Sequence, residues 1–439
     1  MAMTQETLVL RFADVGTATY ASLRFVGDPS RTLTWVIEEP LLLAALAELD
    51  AALPEPGTGE SLADALSRAL GAGPFAAPAT ELIVAYRLGV LLVSAAAWQL
   101  LVECASDPRA TLFVSPSARL ARVPWGLLAL PMAWPDTDDL VRARAAAVTV
   151  HGTAPAAVPW PDLDPGALTE GYRLMEIVDV LMAVPPNIVN ASRPRVAWGQ
   201  RAARPPLLVL DPRVPGQRAD SSLGSVLGRP SPDTALARHF SSTHCSSTAP
   251  SGRVLPNVAG VVELFRRTDA DRHWLAEMLG EEPARLLYVG HATAAESGSA
   301  DQAAIYLADE RPLTAADVMS MALPVPPRVA LLACASGGDY RFDEATGLVA
   351  AAVLGGAQLV TATLWSLPTT AGYRQFTGSD ADPMTDVVIA VDQAHDEQDA
   401  ALAVNRWQRD QMRRWRSGDL AASPLYWAAL VTFAVDGAR

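Results

Sequence analysis

The sequence has little cysteine: three in 439 residues, Cys104, Cys245 and Cys334. Three thiols cannot build a disulfide framework, and they suit a reducing cytoplasm. The start of the sequence is not expected to serve as a secretory leader. Met1-Ala2-Met3-Thr4-Gln5-Glu6 has neither the basic start nor the apolar core of a signal peptide. The longest apolar run, Leu88 to Val102, falls short of the roughly 20 residues a membrane span requires, and reads as one buried helix. Positive charge is the minority sign. A net charge of −14 argues against nucleic acid as a general partner. No G-x-G-x-x-G or G-x-x-x-x-G-K-[ST] loop appears, which counts against a doubly wound nucleotide-binding protein. Metal-binding spacing is absent as well. His244-Cys245 is a lone pair, and Asp380-Ala381-Asp382 is too little for an EF-hand loop. No metal or cofactor is expected.

What is present is a globular composition. Half the residues are apolar, and the length suffices for a large core or for two or three domains. Three short apolar runs stand out between Arg285 and Trp365. Leu286 to Val289 ends on Gly290 and His291; Val329 to Ala333 ends on Cys334; Gln358 to Leu364 ends on Trp365. Short apolar runs with helical stretches between them read as buried parallel strands. Chemistry in such a sheet sits at the carboxyl ends of the strands. Two of these ends carry His291 and Cys334, the side chains a cysteine hydrolase needs. An imidazole can take the thiol proton and later give one to a leaving amine. The alternative is a plain core cysteine, since free Cys is among the most buried residue types.

The order and interval of this pair carry a resemblance. His291 lies 43 positions before Cys334, which follows Leu331-Leu332-Ala333 and precedes Ala335-Ser336-Gly337. The arrangement resembles the caspase-like cysteine proteases, and within them the CHAT family of bacterial caspase relatives. Four further segments are similar to that family in the same order: Leu112 to Leu128, Leu207 to Pro212, Asp343 to Trp365, and Ser423 to Val431. The resemblance spans roughly residues 80 to 439. It implies a caspase-like α/β/α sandwich with a mostly parallel central sheet, a first, degenerate half over 80–256 and a catalytic half over 257–439. It implies a cysteine endopeptidase acting on a protein substrate, switched on by a protein partner, in bacterial defence or regulated death. Cys334 would be the nucleophile and His291 the base, with the backbone N–H groups of Ala292 and Cys334 holding the oxyanion. Leu332 would wall the pocket for the residue before the cut, and the loop from Asp339 would border the cleft, its acidic groups facing a basic side chain. Trp365-Ser366-Leu367 would pair with the substrate as a strand. The chain departs from the family at Ala292, where Gly is usual, and at Leu332, where Ser is common. An inactive CHAT scaffold is the alternative.

The rest of the chain adds expectations. Residues 6–37 alternate and read as two or three antiparallel strands, followed by helices at Leu41 to Leu53 and Ser61 to Leu70. Residues 1–79 thus form a β-rich accessory region. A helix is expected from Thr80, as cap, to Glu103, and strands at Leu112–Val114, Ala147–Val150 and Leu207–Leu210. His151 ends a strand before Gly152 and superficially copies His291; Asp162 and Asp164 read as turn residues. Residues 211–256 read as a long loop open to processing. A helix over Val261 to Leu279 leads to the His291 strand, and Ile305 to Leu307 opens a short hairpin. Thr314 caps a helix, residues 377–400 form a solvated acidic loop, Ala400 to Trp415 is a helix, and Ala428 to Phe433 is the closing strand. Cytoplasmic residence, without membrane or nucleic-acid contact, is the expectation.

Overall fold

A computed structural model describes every residue except 1–5, 106–108, 135–137, 139–140, 143–167, 218–223, 246–253, 296–298, 342–346 and 436–439. The strand expected at Ala147–Val150, with His151, Asp162, Asp164, Asp343 and Glu344, lies outside the described residues. The chain divides into two compact units, Met1–Met182 with Gln408–Ala428, and Ala183–Trp407 with Ala429–Arg439.

The first unit opens with alternating strands β1 (Thr7–Val15), β2 (Ala18–Phe25) and β3 (Thr32–Glu38). Leu8, Leu10 and Phe12 lie opposite Phe25, Leu23 and Ala21 across the antiparallel β1–β2 ladder, and all six are buried. Period-2 apolar residues thus line one face, as a half-covered sheet requires. Beside β1 runs β4 (Thr111–Ser115) in parallel, and β5 (Asp179–Ala183) runs parallel to β4. The first strands therefore share a sheet, ordered β3-β2-β1-β4-β5, with residues beyond 79.

Helices Glu39–Ala52 and Leu62–Gly71 form where the sequence places them, and Ser61 caps the second. The single helix expected over Leu88–Val102 is in fact two, Pro78–Leu92 and Ala95–Glu103, bent by 102°. Val93 is extended, and the Ser94 hydroxyl accepts the Ala97 N–H to start the second helix. Thr80 is not a cap. Pro78 opens that helix, and the Thr80 hydroxyl donates back to the Pro74 and Ala77 carbonyls. Among the described residues no single helix is long and apolar enough to cross a membrane. In the core of this unit Arg173 forks onto both oxygens of Glu81 at 3.0 and 2.8 Å. The Trp415 indole donates to the same carboxylate at 3.3 Å.

The second unit is built on strands buried along their whole length: β6 (Leu207–Leu210) and β7 (Arg285–Val289) come first. Between β7 and the next long strand lie β8 (Ala292–Thr293), β9 (Ala304–Ile305) and β10 (Leu313–Thr314), a separate antiparallel sheet in place of the expected hairpin. Then follow β11 (Arg328–Leu332), β12 (Leu359–Thr363) and β13 (Leu430–Ala434). Their order is β13-β12-β11-β7-β6, parallel from β12 to β6, with β13 antiparallel at one side. Continuous apolar runs without alternation suit strands covered on both faces.

Three expectations are corrected in this unit. Residues 211–256 are not one loop, because Ala235–Cys245 is a helix. Val261–Leu279 is not one helix: a 3-10 turn over Val261–Leu264 precedes the helix Arg272–Gly280, which starts where Asp271 accepts the Trp274 N–H. The acidic stretch 377–400 is mainly the helix Pro383–Asp396, capped by Asp382, with Asp392 buried on its inner face. Charge masked a helix whose apolar side packs inward. Thr314 does cap Ala315–Ser320, with Asp317 completing a capping box.

Candidate active site

The site is read from the parallel ladder of β7 and β11. Leu332 pairs with Val289, and the Gly290 N–H donates to the Leu332 carbonyl at 3.3 Å to extend the ladder. His291 and Cys334 each follow that last pair by two residues. They therefore leave neighbouring strands side by side at the carboxyl end. Gly290 is required there: a Cβ on it would meet the Tyr288 hydroxyl at 2.7 Å. That hydroxyl donates at 2.7 Å to the carbonyls of His291 and Tyr306 and so fixes the backbone that carries the imidazole. Burial, opposed by the hydrogen bond to the Tyr306 carbonyl and aided by the nearby Asp211 and Cys334, pushes the Tyr288 phenol well above its ordinary range, so it stays a donor.

The ring of His291 is 9% exposed, and its Nε2 lies 2.6 Å from the Gly224 carbonyl oxygen. A carbonyl only accepts, so Nε2 carries a proton, and in the neutral ring Nδ1 is the nitrogen with the lone pair. The imidazole is thus held in one tautomer by a backbone group. Cys334 is partly exposed and forms no disulfide. The residue after it, Ala335, has φ of 49°, a left-handed conformation costly for a side chain. Ser336 anchors the turn, its hydroxyl donating to Leu331 O at 2.6 Å and accepting the Thr363 N–H at 3.1 Å.

Ala292 begins β8 opposite Ile305. The Tyr306 N–H donates to the His291 carbonyl at 3.0 Å, the bond that flanks a non-hydrogen-bonded pair. The N–H of Ala292 therefore points away from β9 rather than into the small sheet. Its φ is not positive, so alanine is as acceptable as glycine at this position.

The five residues expected to meet substrate are placed as follows. Leu332 and Trp365 are fully buried, and Leu367 is buried; Ser366 is half-buried. Asp339 is also buried, and its carboxylate accepts the N–H groups of Val349 and Ala350 at 3.2 and 2.8 Å, the first turn of the helix Leu348–Leu354. A side chain on Gly347 would strike this carboxylate at 2.6 Å. Burial, opposed by those N–H donors, raises the Asp339 pKa to about 6. Asp339 also lines a cavity of about 10 Å³ with Ala294, Ala295, Ala335, Ser336 and Gly338, room for about one water. Contributions from Leu332, Trp365 and Leu367 to a ligand would fall to their main chain.

Sequence reading missed Gly224, Tyr288 and Asp211. The first two act through a carbonyl and a hydroxyl set by the fold, and no motif marks them. Asp211 had a signal, since it lies in the Leu207–Pro212 segment that resembles the CHAT family. Among the described residues no group of three or more His, Cys, Asp or Glu side chains is arranged to hold a metal ion.

The CHAT domain family model matches residues 174–435, more than half of the chain. The protein therefore belongs to the CHAT domain family, a caspase-like, protease-related family. A search of curated proteins finds no match.

Proposed function

We propose that the protein is a caspase-like cysteine endopeptidase. The observation that carries this reading is the His291 ring, tied through Nε2 to Gly224 and level with Cys334 on the next strand. In this reading Nδ1 takes the proton of the Cys334 thiol as Sγ attacks the scissile carbonyl carbon. The tetrahedral oxyanion sits against the N–H groups of Ala292 and Cys334. Collapse breaks the C–N bond, and the proton on Nδ1 passes to the leaving amine. Water, deprotonated by Nδ1, then attacks the thioester and releases the acid, returning the thiol.

The substrate strand would pair with the main chain of Trp365-Ser366-Leu367. A protein partner that uncovers His291 would switch the enzyme on, which fits its low exposure. A role in bacterial defence or regulated death extends the same reading. The test is cleavage of a peptide library varied at the residue before the cut, by wild type and Cys334→Ala, with reactivity of Cys334 toward an acyloxymethyl-ketone probe in native lysate. Cleavage or labelling lost in Cys334→Ala and in His291→Ala supports a protease. Labelling that ignores His291 would sink the dyad and favour an inactive scaffold.

A further inference from the structure

The carbonyl that orients His291 belongs to a turn with no regular structure of its own, so something must hold it. The holder is Asp211, the residue directly after β6. Its side chain is buried, and its own N–H donates to the Val289 carbonyl at 2.6 Å, tying it to the His291 strand. Its Oδ2 accepts the Ser225 hydroxyl at 2.6 Å and the N–H groups of Val226 and Leu227 at 3.1 and 3.4 Å. Its Oδ1 faces the Arg266 guanidinium at 3.2 Å. The Ser225 hydroxyl also reaches the Gly228 carbonyl at 2.8 Å and closes the turn. The three residues that follow Gly224 are thus pinned to one carboxylate. The backbone of Asp211 is left-handed, with φ of 52°, a conformation Asp tolerates better than most side chains.

We propose that Asp211 is a positioning residue for the His291–Cys334 pair: by gathering Ser225, Val226 and Leu227 it fixes the Gly224 carbonyl, and through it the tautomer and aim of the imidazole. This rests on the protease reading. Asp211 touches no reacting atom and acts through Gly224. The simpler role for Asp211 would be to stabilise a turn and nothing more. The two differ in what they move: a turn holder shifts melting, whereas a positioning residue shifts the proton chemistry of Cys334.

The experiment follows alkylation of Cys334 by iodoacetamide against pH, read by peptide mass spectrometry so that Cys104 and Cys245 do not interfere. The full chain is used as wild type, Asp211→Ala, Asp211→Asn, Ser225→Ala and His291→Ala. A cavity of about 230 Å³ borders Asp211, Leu227, Gly228 and Arg266, so water can reach the N–H groups that Asp211→Ala leaves behind. Asp211→Asn and Ser225→Ala keep the proposal testable if that variant does not fold. Wild type should alkylate fastest near neutrality and His291→Ala slowest. Folded Asp211→Ala should lose about tenfold at neutral pH, with its profile moved toward higher pH, and Ser225→Ala about threefold. Nitrogen NMR of the labelled ring should show Nε2–H alone in wild type and mixed tautomers in Asp211→Ala. Folded Asp211 and Ser225 variants that keep the wild-type profile, while His291→Ala falls, overturn the positioning role alone. A wild type no faster than His291→Ala overturns the dyad and the proposal with it.

Discussion

The carboxyl and amino ends of β7 and β11 treat histidine and charge differently. At the carboxyl end His291 meets a single carbonyl, stands level with Cys334 and is followed by a two-residue strand. At the amino end the strands begin with Arg285 and Arg328, both buried. Arg285 pairs with Asp392 at 2.9 Å, and His239 reaches the same carboxylate at 2.9 Å. Arg328 spends its guanidinium on the His395, Glu397 and Gln398 carbonyls and lies 3.7 Å over the Trp198 ring. His395 bonds the Thr361 hydroxyl at 2.8 Å through Nε2, while its Nδ1 is buried with no hydrogen-bond partner. Burial, then the charges of Arg285 and Arg328, push His395 down to about 3. Two arginines can be accepted inside the sheet because carbonyls and one carboxylate meet them. The difference teaches that a buried, hydrogen-bonded imidazole alone does not mark a functional histidine. What separates His291 is its tie to the Gly224 carbonyl and its place level with Cys334 on the neighbouring strand.

The strongest break of this comparison is to swap the damage. Cys334→Ala or His291→Ala should cost about a thousandfold or more in turnover and change stability little, since neither side chain fills the deep core. Asp392→Ala should do the reverse. It strands Arg285 and costs about 3–5 kcal/mol in urea unfolding. Its folded fraction should alkylate at Cys334 as wild type does. An Asp392→Ala protein of wild-type stability would mean the amino-end charges contribute nothing to the fold.

The next effect is in pH. His395 is held neutral, with a folded pKa near 3 against 6.5. Its contribution is present above 6.5 and is lost as pH falls toward 3, on the order of 5 kcal/mol as an upper bound. Asp339 runs the other way. Its folded pKa of about 6 exceeds the ordinary 3.8, so its contribution is full below 3.8 and lost as pH rises through 6, on the order of 3 kcal/mol. Between pH 4 and 6 the two ends therefore oppose each other, and the wild-type stability curve should be nearly flat there. His395→Gln should make stability fall as pH rises through this window, and Asp339→Asn should make it rise. Denaturant midpoints at several pH values check both signs. If the two variants bend the curve in the same direction, one of the buried groups is misassigned.

How much of this was legible differs between elements. Strands β6, β7, β11, β12 and β13 could be read because a short, continuous apolar run fits a strand buried on both faces, and in β7, β11 and β12 the run stops on Gly, Cys or Trp. That His291 and Cys334 leave neighbouring strands side by side followed from those ends and from the family likeness. The helix at Pro383–Asp396 was hidden because its acidic residues suggested solvent, yet Asp392 is drawn inside by Arg285, a residue more than a hundred positions away in sequence. The break at Val93–Ser94 was hidden because apolar residues continue across it, and only the cap at Ser94 marks the restart. The Gly224 carbonyl could not be read at all. A backbone oxygen has no residue type, and its place depends on Asp211 and Ser225 meeting across the turn.

The smallest effect concerns the turn behind Cys334. Ala335 is left-handed at φ of 49°, whereas the left-handed residue ending the helix Thr370–Thr377 is Gly378, at 67°. An alanine in this region costs roughly 1 kcal/mol or more relative to glycine, partly offset by the extra freedom glycine gains when unfolded. Ala335→Gly should therefore stabilise the protein by about 0.5–1 kcal/mol in urea unfolding. It should not speed alkylation of Cys334. Ala335 directly follows Cys334 in the chain, and a freer residue there loosens the turn that carries the thiol. Gain in stability with equal or slower thiol chemistry fits strain held for geometry. A loss of stability would mean that the Ala335 methyl group contributes more in packing than its backbone costs, and the left-handed turn would then be no sign of function.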